Sequence, residues 1–258
     1  MVLACATARP VRAIHVDHGL RSGSENEAAV VDAAAIRFGA RFEARTVAVP
    51  LGPNLEARAR AARYDAMPAG VLTGHTADDQ AETVLLNVMR GAGLDGLAGM
   101  RTHGHPILSL RRAETHALCA EVGLVPLQDP TNASAEFTRN RVRHELIPLL
   151  DDIARREVTP LLARQATRLH AVAELLDEMS DHIDPSDARS VATAPPELAA
   201  RALRRWLRVG IDDEQHPPDA KAIERVLAVA TGKSESCDVV KGVRVVRSRQ
   251  RLSLVRTQ

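Results

Sequence analysis

The sequence predicts an α/β fold with a parallel sheet, followed by a helical stretch and a small α+β C-terminal part. Three observations carry this. Short apolar, β-branched runs alternate with helical patterns of ten to sixteen residues through the first half, which is the signature of βαβ units. Strand exits carry polar side chains, where open parallel sheets place their ligands. After about residue 138 the pattern turns helical, and the chain ends in short alternating runs.

The elements follow in order. "VRAIHV" (11–16) reads as a buried strand ending at Asp17 and His18. A helix follows from "SENEAAVVDAAAIRFG", with Ser24 and Glu27 as a capping box and Gly39 as its stop. "ARFEARTVAV" sets Phe42 and Ala44 against Arg41, Glu43 and Arg45, a strand with one wetter face. Asn54 can cap a helix over 55–66. "GVLTG" (70–74) and "PILSL" (106–110) read as strands, with helices over 76–90 and 112–122 behind them. One long helical stretch runs from 138 to about 182, and its far end is acidic, with Glu174, Asp177, Glu178 and Asp181. Pro185, Pro195 and Pro196 mark a boundary. Two helices over 197–232, separated by "HPPD", precede a β-hairpin with its turn near Arg249. The expected division is 1–150 for the sheet domain, 151–188 for a helical linker and 189–258 for a small basic domain.

Composition narrows the function classes. The chain has 258 residues, 45% of them hydrophobic and 26% charged, as in a soluble globular protein, and only 2% aromatic. No apolar run approaches a membrane span, and no signal-peptide pattern is present. Cys5, Cys119 and Cys237 form no CxxC pair, so neither a zinc ribbon nor a disulfide framework is indicated, and the cytoplasm is the expected compartment. The net charge of +1 conceals a surplus at the end: residues 189–258 hold 14 basic and 8 acidic side chains, 14 − 8 = +6. That end could meet phosphates, although an Arg-rich surface gives the same count.

"LTGHTADDQAETVLLNVMRG" (72–91) gathers His75, Asp78, Asp79 and Glu82 where a helix begins. Thr76 fits the N-cap with Asp79 reaching back to it, and acids in a first turn suit the helix dipole. Capping does not explain His75, nor three acids within five positions. Their mutual repulsion calls for a cation, either Mg²⁺ or a bound amine. By contrast, His103 and His105 in "THGH" lack carboxylate support and read as a surface loop rather than a metal site. Trp206, among Arg201, Arg204, Arg205 and Arg208, reads as core beneath a basic stripe.

Further segments join that turn. "HVDHGLR" supplies Asp17, His18 and Arg21; "NLEARARAARY" supplies Glu56, Arg58, Arg60 and Arg63. "DPTNASAEFTRNRVRHELIP" supplies Asp129, Asn132, Arg139, Asn140 and Arg143. With "GHTADDQAET" and "RGAGLDGLAGM", these motifs resemble, in order over 11–150, the tRNA(Ile)-lysidine synthetase family. The remaining residues resemble its short form more loosely. The resemblance implies a PP-loop ATP pyrophosphatase domain, a Rossmann-like sheet with helices on both faces. It implies ATP and Mg²⁺, and as partners L-lysine and a tRNA(Ile) with a CAU anticodon. No membrane is involved, and a homodimer is compatible with it.

The implied reaction adenylates O2 of the wobble cytidine, releasing pyrophosphate. Lysine then attacks C2 and expels AMP. His75, Asp78, Asp79 and Glu82 are the implied catalytic set, with Asp78 and Asp79 as metal ligands and His75 orienting or deprotonating the amine. Asp17, His18, Arg21, Asp129, Asn132, Arg139 and Arg143 are the implied nucleotide-binding set. Arg139 and Arg143, one helical turn apart, would grip the leaving phosphate or the tRNA backbone.

The family's Gly-rich SGGxDS loop, a phosphate cradle at a helix N-terminus, has no counterpart in this sequence. "MVLACATA" resembles the tail of the helix that follows that loop, so a strand, the loop and half a helix are expected to be missing, on the order of 20–30 residues. A start codon placed too far downstream is the preferred explanation; a decayed, inactive copy and a substitute segment are the others. The rival functions are another PP-loop tRNA-modifying enzyme, a catalytically dead tRNA binder and a metal-dependent hydrolase at His75.

Overall fold

The computed structural model describes residues 1–7, 9–19, 25–49, 52, 55–127, 137–211 and 218–256. The chain divides into two compact units, 1–91 with 99–164, and 92–98 with 165–258. The proposed caps Ser24 and Asn54 and the site candidates Arg21, Asp129 and Asn132 lie outside the described residues, as does part of "HPPD".

In the first unit, after a short helix α1 (Val2–Cys5), a βαβ element forms as expected. Strand β1 (Arg12–Asp17) leads through helix α2 (Glu25–Phe38) to strand β2 (Arg41–Thr46). The strands pair in parallel, from Arg12 opposite Arg41 to Asp17 opposite Thr46. Gly39 ends α2 at φ +73°, a conformation that favours glycine. The expected wet face of β2 holds at Arg41, which is exposed against half-buried Phe42, but inverts further on: Ala44 is exposed, while Glu43 and Arg45 are half-buried. Pairing is the reason. Arg45 donates to Glu43 at 2.6 Å and to the Ala66 carbonyl, and Arg12 bridges Glu43 at 3.2 Å.

Helix α3 (Leu55–Asp65) is followed by the expected helix α4 (Ala77–Met89), but 70–74 and 106–110 are not strands. A strand exists through its partner's hydrogen-bond ladder. Here two backbone bonds, Thr73 N–H to the Gly104 carbonyl and Ala77 N–H to the Leu110 carbonyl, each 2.8 Å, flank the two segments and form no ladder between them. Residues 102–110 satisfy their backbone in successive turns instead: His105 bonds to Thr102, Leu108 to His105, and Leu110 to Ile107. The described parallel sheet is therefore two-stranded.

Helix α6 (Arg112–Glu121) follows the short α5 (Leu94–Leu97). The helical stretch expected from 138 to about 182 is present, divided into several helices. Helix α7 (Thr138–Arg141) passes through a π-helical turn (Val142–Leu146) into α8 (Ile147–Ala154). Arg155 then adopts the left-handed conformation at φ 53°, and α9 (Thr159–Ser180) begins afresh. The first unit's core is built on Ala35, Ala77, Ala81, Val84, Leu108 and Val142.

The second unit packs α10 (Ala188–Thr193), α11 (Pro196–Ile211) and α12 (Ala220–Ala230) on an antiparallel sheet, β3 (Ser236–Val240), β4 (Val243–Ser248) and β5 (Arg251–Arg256). The expected hairpin turn at Arg249 is present, at φ 57°. A third strand, β3, extends that hairpin because "SCDVV" before Lys241–Gly242 alternates as well. Ala199, Ala202, Leu203 and Leu207 recur at helical spacing on α11 and meet Ile223, Val226 and Val229 of α12. Each large apolar side chain buried here contributes about 1.5–3 kcal/mol. Trp206 packs against this cluster, as expected. Arg201 and Arg205 are not an open stripe: Arg201 bridges Asp177 at 2.7 Å and Asp95 at 2.8 Å, and Arg205 bridges Asp181 at 2.9 Å. Among the described residues no helix is long and apolar enough to cross a membrane.

Candidate functional site

The site is assembled where the N-termini of α4 and α6 converge. Thr76 caps α4, and its amide and hydroxyl both donate to Asp79 Oδ2 at 2.8 Å. Asp78, one residue back, serves the neighbouring helix. Its Oδ2 accepts the Arg112 amide at 2.7 Å, satisfying a helix-start N–H that has no partner within α6. Two of the three acids are thus helix caps, one for its own helix and one for the next.

The cation that the crowded acids require is supplied by the chain itself. Arg111 reaches Asp78 at 3.2 and 3.4 Å and Glu157 at 2.6 Å. Arg112 bridges Asp79 at 3.0 Å and Glu82 at 3.1 Å. Arg139 donates to Glu82 at 3.1 Å and to the Thr83 hydroxyl at 2.9 Å. Arg143 grips both oxygens of Glu82, at 2.7 and 3.1 Å. Arg139 and Arg143 converge on one carboxylate from either side of the step from α7 into the π-helical turn, an irregularity common at functional sites. Glu82 is 0% exposed and forms the keystone of this lattice.

This arrangement does not fit the metal expected at Asp78 and Asp79. Every oxygen of the two carboxylates already accepts from an N–H or O–H donor. Among the described residues no group of three His, Cys, Asp or Glu side chains could hold a metal ion. Protonation behaviour agrees with the pairing. Burial opposes ionisation of Asp78, but the Arg112 amide and the Arg111 guanidinium outweigh it and hold its carboxyl below the usual range. Burial likewise opposes ionisation of Asp79, and the Thr76 donors and Arg112 prevail.

His75 stands at the strand-like exit into α4. Burial pulls its imidazole down to about 4, against the field of Asp79 and with those of His105, Arg60 and Arg139. It is neutral near pH 7. Its Nδ1 lies 2.6 Å from the Thr73 hydroxyl, which lies 2.6 Å from Nδ1 of His105. The loop carrying His105 therefore turns that side chain inward, contrary to the surface-loop expectation, while His103 is exposed.

Asp17 and His18 end β1, and the Gly19 amide donates to Asp17 at 2.9 Å. Burial first, then the nearby Arg63, keeps His18 below its ordinary value, with Asp17 opposing. On α3, Arg63 acts on His18 and Arg60 on His75, and Arg63 is itself lowered by burial first, then by Arg60 and Arg139.

Gln80 completes α4's role. Its side chain accepts from the Met100 amide at 2.8 Å and donates to the Met100 carbonyl at 3.0 Å. Gly99, at φ +65°, lies so close that a Cβ there would meet Gln80 Oε1 at 2.6 Å. Sequence reading missed Arg111, Arg112, His105 and Gln80. The signal for the first pair was "LRR" at the end of "PILSL", basic residues set against a turn with three unneutralised acids.

Comparison with known proteins places the chain in a family. A family model described as a PP-loop domain matches residues 2–150, and one described as the TilS substrate binding domain matches 187–253. The tRNA(Ile)-lysidine synthase of Nocardia farcinica (strain IFM 10152) is 40% identical over 271 residues, covering 96% of this chain and 84% of that protein. The enzyme of Rhodococcus erythropolis (strain PR4 / NBRC 100887) is 41% identical, covering 80% and 69%. That of Mycobacterium tuberculosis (strain ATCC 25618 / H37Rv) is 36% identical, covering 93% and 81%. A solved U34-tRNA thiolase, NcsA from Methanococcus maripaludis, is 14% identical with a TM-score of 0.45, covering 64% of this chain and 63% of that one.

Proposed function

This chain belongs to the tRNA(Ile)-lysidine synthase family, and from that premise we propose that it ligates lysine to C2 of the wobble cytidine of a CAU-anticodon tRNA(Ile) at the expense of ATP. In the first step O2 of the cytidine attacks the α-phosphorus of ATP, and the bond to the β-phosphate oxygen breaks to release pyrophosphate. In the second the lysine ε-amine, having lost a proton, attacks C2; the C2–O2 bond breaks and AMP leaves. Residues 1–150 are assigned the ligation, in a Rossmann-like domain, and the basic residues 189–258 the tRNA, with a cytoplasmic setting.

The observation that carries this reading is the interlocked lattice of three carboxylates and four guanidinium groups at the start of α4. Nucleotidyl transfer is largely positioning and charge neutralisation. Arginines already held by Glu82 lose little freedom when a phosphate arrives, so their binding energy is not spent on ordering them. Arg111, Arg112, Arg139 and Arg143 keep 21–30% of their side-chain surface exposed, whereas that of Glu82 keeps 1%. We assign the guanidinium layer to the nucleotide and tRNA phosphates, and Glu82 to holding Arg112, Arg139 and Arg143 within it.

Asp78 is the carboxylate assigned to the lysine ammonium. Its contacts to Arg111, 3.2 and 3.4 Å, are long for charge-assisted bonds, and Glu157 offers Arg111 a shorter one at 2.6 Å. An arriving ammonium can displace Arg111 from Asp78 without stranding it. Asp79 holds the helix start, and neutral His75 orients the amine. No step is assigned to Mg²⁺, because these carboxylates offer it no ligand set.

The deciding experiment incubates the chain with ATP, L-lysine and tRNA(Ile) bearing a CAU anticodon, and follows AMP and labelled lysine in the tRNA. Lysine-dependent AMP formation with stoichiometric incorporation is expected. Tight tRNA binding without incorporation would establish the dead-copy alternative. An Asp78→Asn variant separates the steps: we expect KM for lysine to rise more than tenfold while ATP–pyrophosphate exchange continues, and parallel loss of both would remove Asp78 from the lysine site.

A further inference from the structure

Thr73, His75 and His105 form a cluster to which the ligation chemistry assigns no work beyond His75 itself. Thr73 and His75 are two residues apart where the chain enters α4, and the 102–110 turns bring His105 against both side chains. The Thr73 hydroxyl lies 2.6 Å from Nδ1 of both imidazoles. The rings meet edge to face, with centroids 4.8 Å apart and planes at 87°, and their Nδ1 atoms are 3.3 Å apart.

A hydroxyl has one proton to give. Were both Nδ1 atoms unprotonated, one 2.6 Å contact would set lone pair against lone pair. Were both protonated, the hydroxyl proton would be stranded and two N–H dipoles would face each other at 3.3 Å. The arrangement that satisfies all three groups has one imidazole donating from Nδ1 to Thr73 and the other accepting the Thr73 proton. Burial lowers both imidazoles from their ordinary value, with Arg60 reinforcing it and, at His105, a hydrogen bond to the Gly104 backbone opposing it. The neutral rings near pH 7 keep this single-proton bookkeeping.

We propose that Thr73 and His105 are positioning residues for the ligation: through one bridging hydroxyl they lock His75 and His105 into opposite Nδ1 tautomers and fix the protonation of His75 Nε2, the ring nitrogen left for substrate. A histidine that interconverts between tautomers presents the correct nitrogen only part of the time, and its ring rotates between partners. A locked one does neither. The proposal rests on the assignment of His75 to the site, and its test separates the two ideas.

The test uses the full chain labelled with ¹⁵N-histidine and records long-range ¹H–¹⁵N correlations near pH 7, with His75 and His105 assigned from the His75→Gln and His105→Gln spectra. One residue should show a pyrrole-type Nδ1 and the other a pyridine-type Nδ1; the same type in both overturns the proposal. Thr73→Val should bring both to the mixed tautomers of free imidazole and lower kcat for AMP formation roughly tenfold with KM for ATP and lysine little changed. Thr73→Ser should restore both readouts. The wild-type kcat should show no titration near pH 6.5 from His75, whose neighbours Asp79, His105, Arg60 and Arg139 are unchanged in Thr73→Ser. Should Thr73→Val fail to fold, His105→Gln supplies the same comparison at the His75 resonance. An unaltered kcat in the tautomer-released variant overturns the positioning role. Full activity in His75→Gln with the locked spectrum intact in wild type removes His75 from the chemistry instead.

Discussion

Glu82 is the residue on which the site's geometry hangs. It is fully buried and holds Arg112, Arg139 and Arg143 by four bonds of 2.7–3.1 Å. Replacing it with Gln keeps the shape and removes the charge, leaving Arg139 and Arg143 without the carboxylate they grip and Arg112 with Asp79 alone. Breaking a buried pair from one side loses about 3–5 kcal/mol, and the partial exposure of the arginines puts Glu82→Gln near the lower figure. Urea denaturation should show a loss of about 3 kcal/mol, together with lost activity. A change under about 0.5 kcal/mol would mean that the lattice does not hold these arginines. His75 makes a second prediction at this scale. Its folded value, about 4, lies below the ordinary 6.5, so the fold favours the neutral ring. That contribution is fully present above pH 6.5 and fades as pH falls towards 4. The stability difference between wild type and His75→Gln should therefore shrink between pH 6.5 and 4, as read from denaturation midpoints at each pH. A difference that does not vary with pH would place the imidazole in water.

At the level of elements, Asp78 joins α4 to α6. Its acceptance of the Arg112 amide is an N-cap supplied from another helix, and removing such a cap loses about 1 kcal/mol. Asp78→Ala should speed hydrogen exchange of the first α6 amides while those inside α4 stay protected; equal protection in both helices would mean the cap is redundant. The helix starts were legible in the sequence because capping is local chemistry. Thr76 and Asp79 lie within four positions, and their roles follow from that spacing. The pairing of Asp78 with Arg111 and Arg112 was not legible, since it spans more than thirty residues and appears only once the helices converge. Strands were the least legible. "GVLTG" and "PILSL" have the composition of strands, but composition supplies no ladder partner, and the backbone of 102–110 closed into turns. At the other end, β3 was missed because "SCDVV" is short and acquires its register only from β4. The break after α8 follows from Arg155 turning left-handed, which no local pattern announces.

For the molecule as a whole, the question is where the C-terminal +6 surplus goes. Part of it is consumed internally. Arg201 and Arg205 pair with Asp95, Asp177 and Asp181, and Arg247 donates to the carbonyls of Val229 and Ala230. The acidic end of α9 thus exists to receive α11, which a linear count of charges could not reveal. What remains outward includes Lys241, at the turn after β3, and Arg256, which sits opposite Val243 in the register of β5 with β4. Both therefore belong to one end of the sheet. Cations at a sheet margin also discourage edge-to-edge association, so their presence alone does not distinguish RNA contact from edge protection. Salt dependence does. Each phosphate neutralised adds about 0.7–0.9 to the slope of log affinity against log salt. If Lys241 and Arg256 meet the tRNA backbone, the double variant Lys241→Glu, Arg256→Glu should flatten that slope by about 1.5 and weaken binding at low salt by at least tenfold, with thermal stability unchanged. If the slope holds and the variant instead associates with itself, the two cations guard the sheet margin and the tRNA lies against another part of the basic surface.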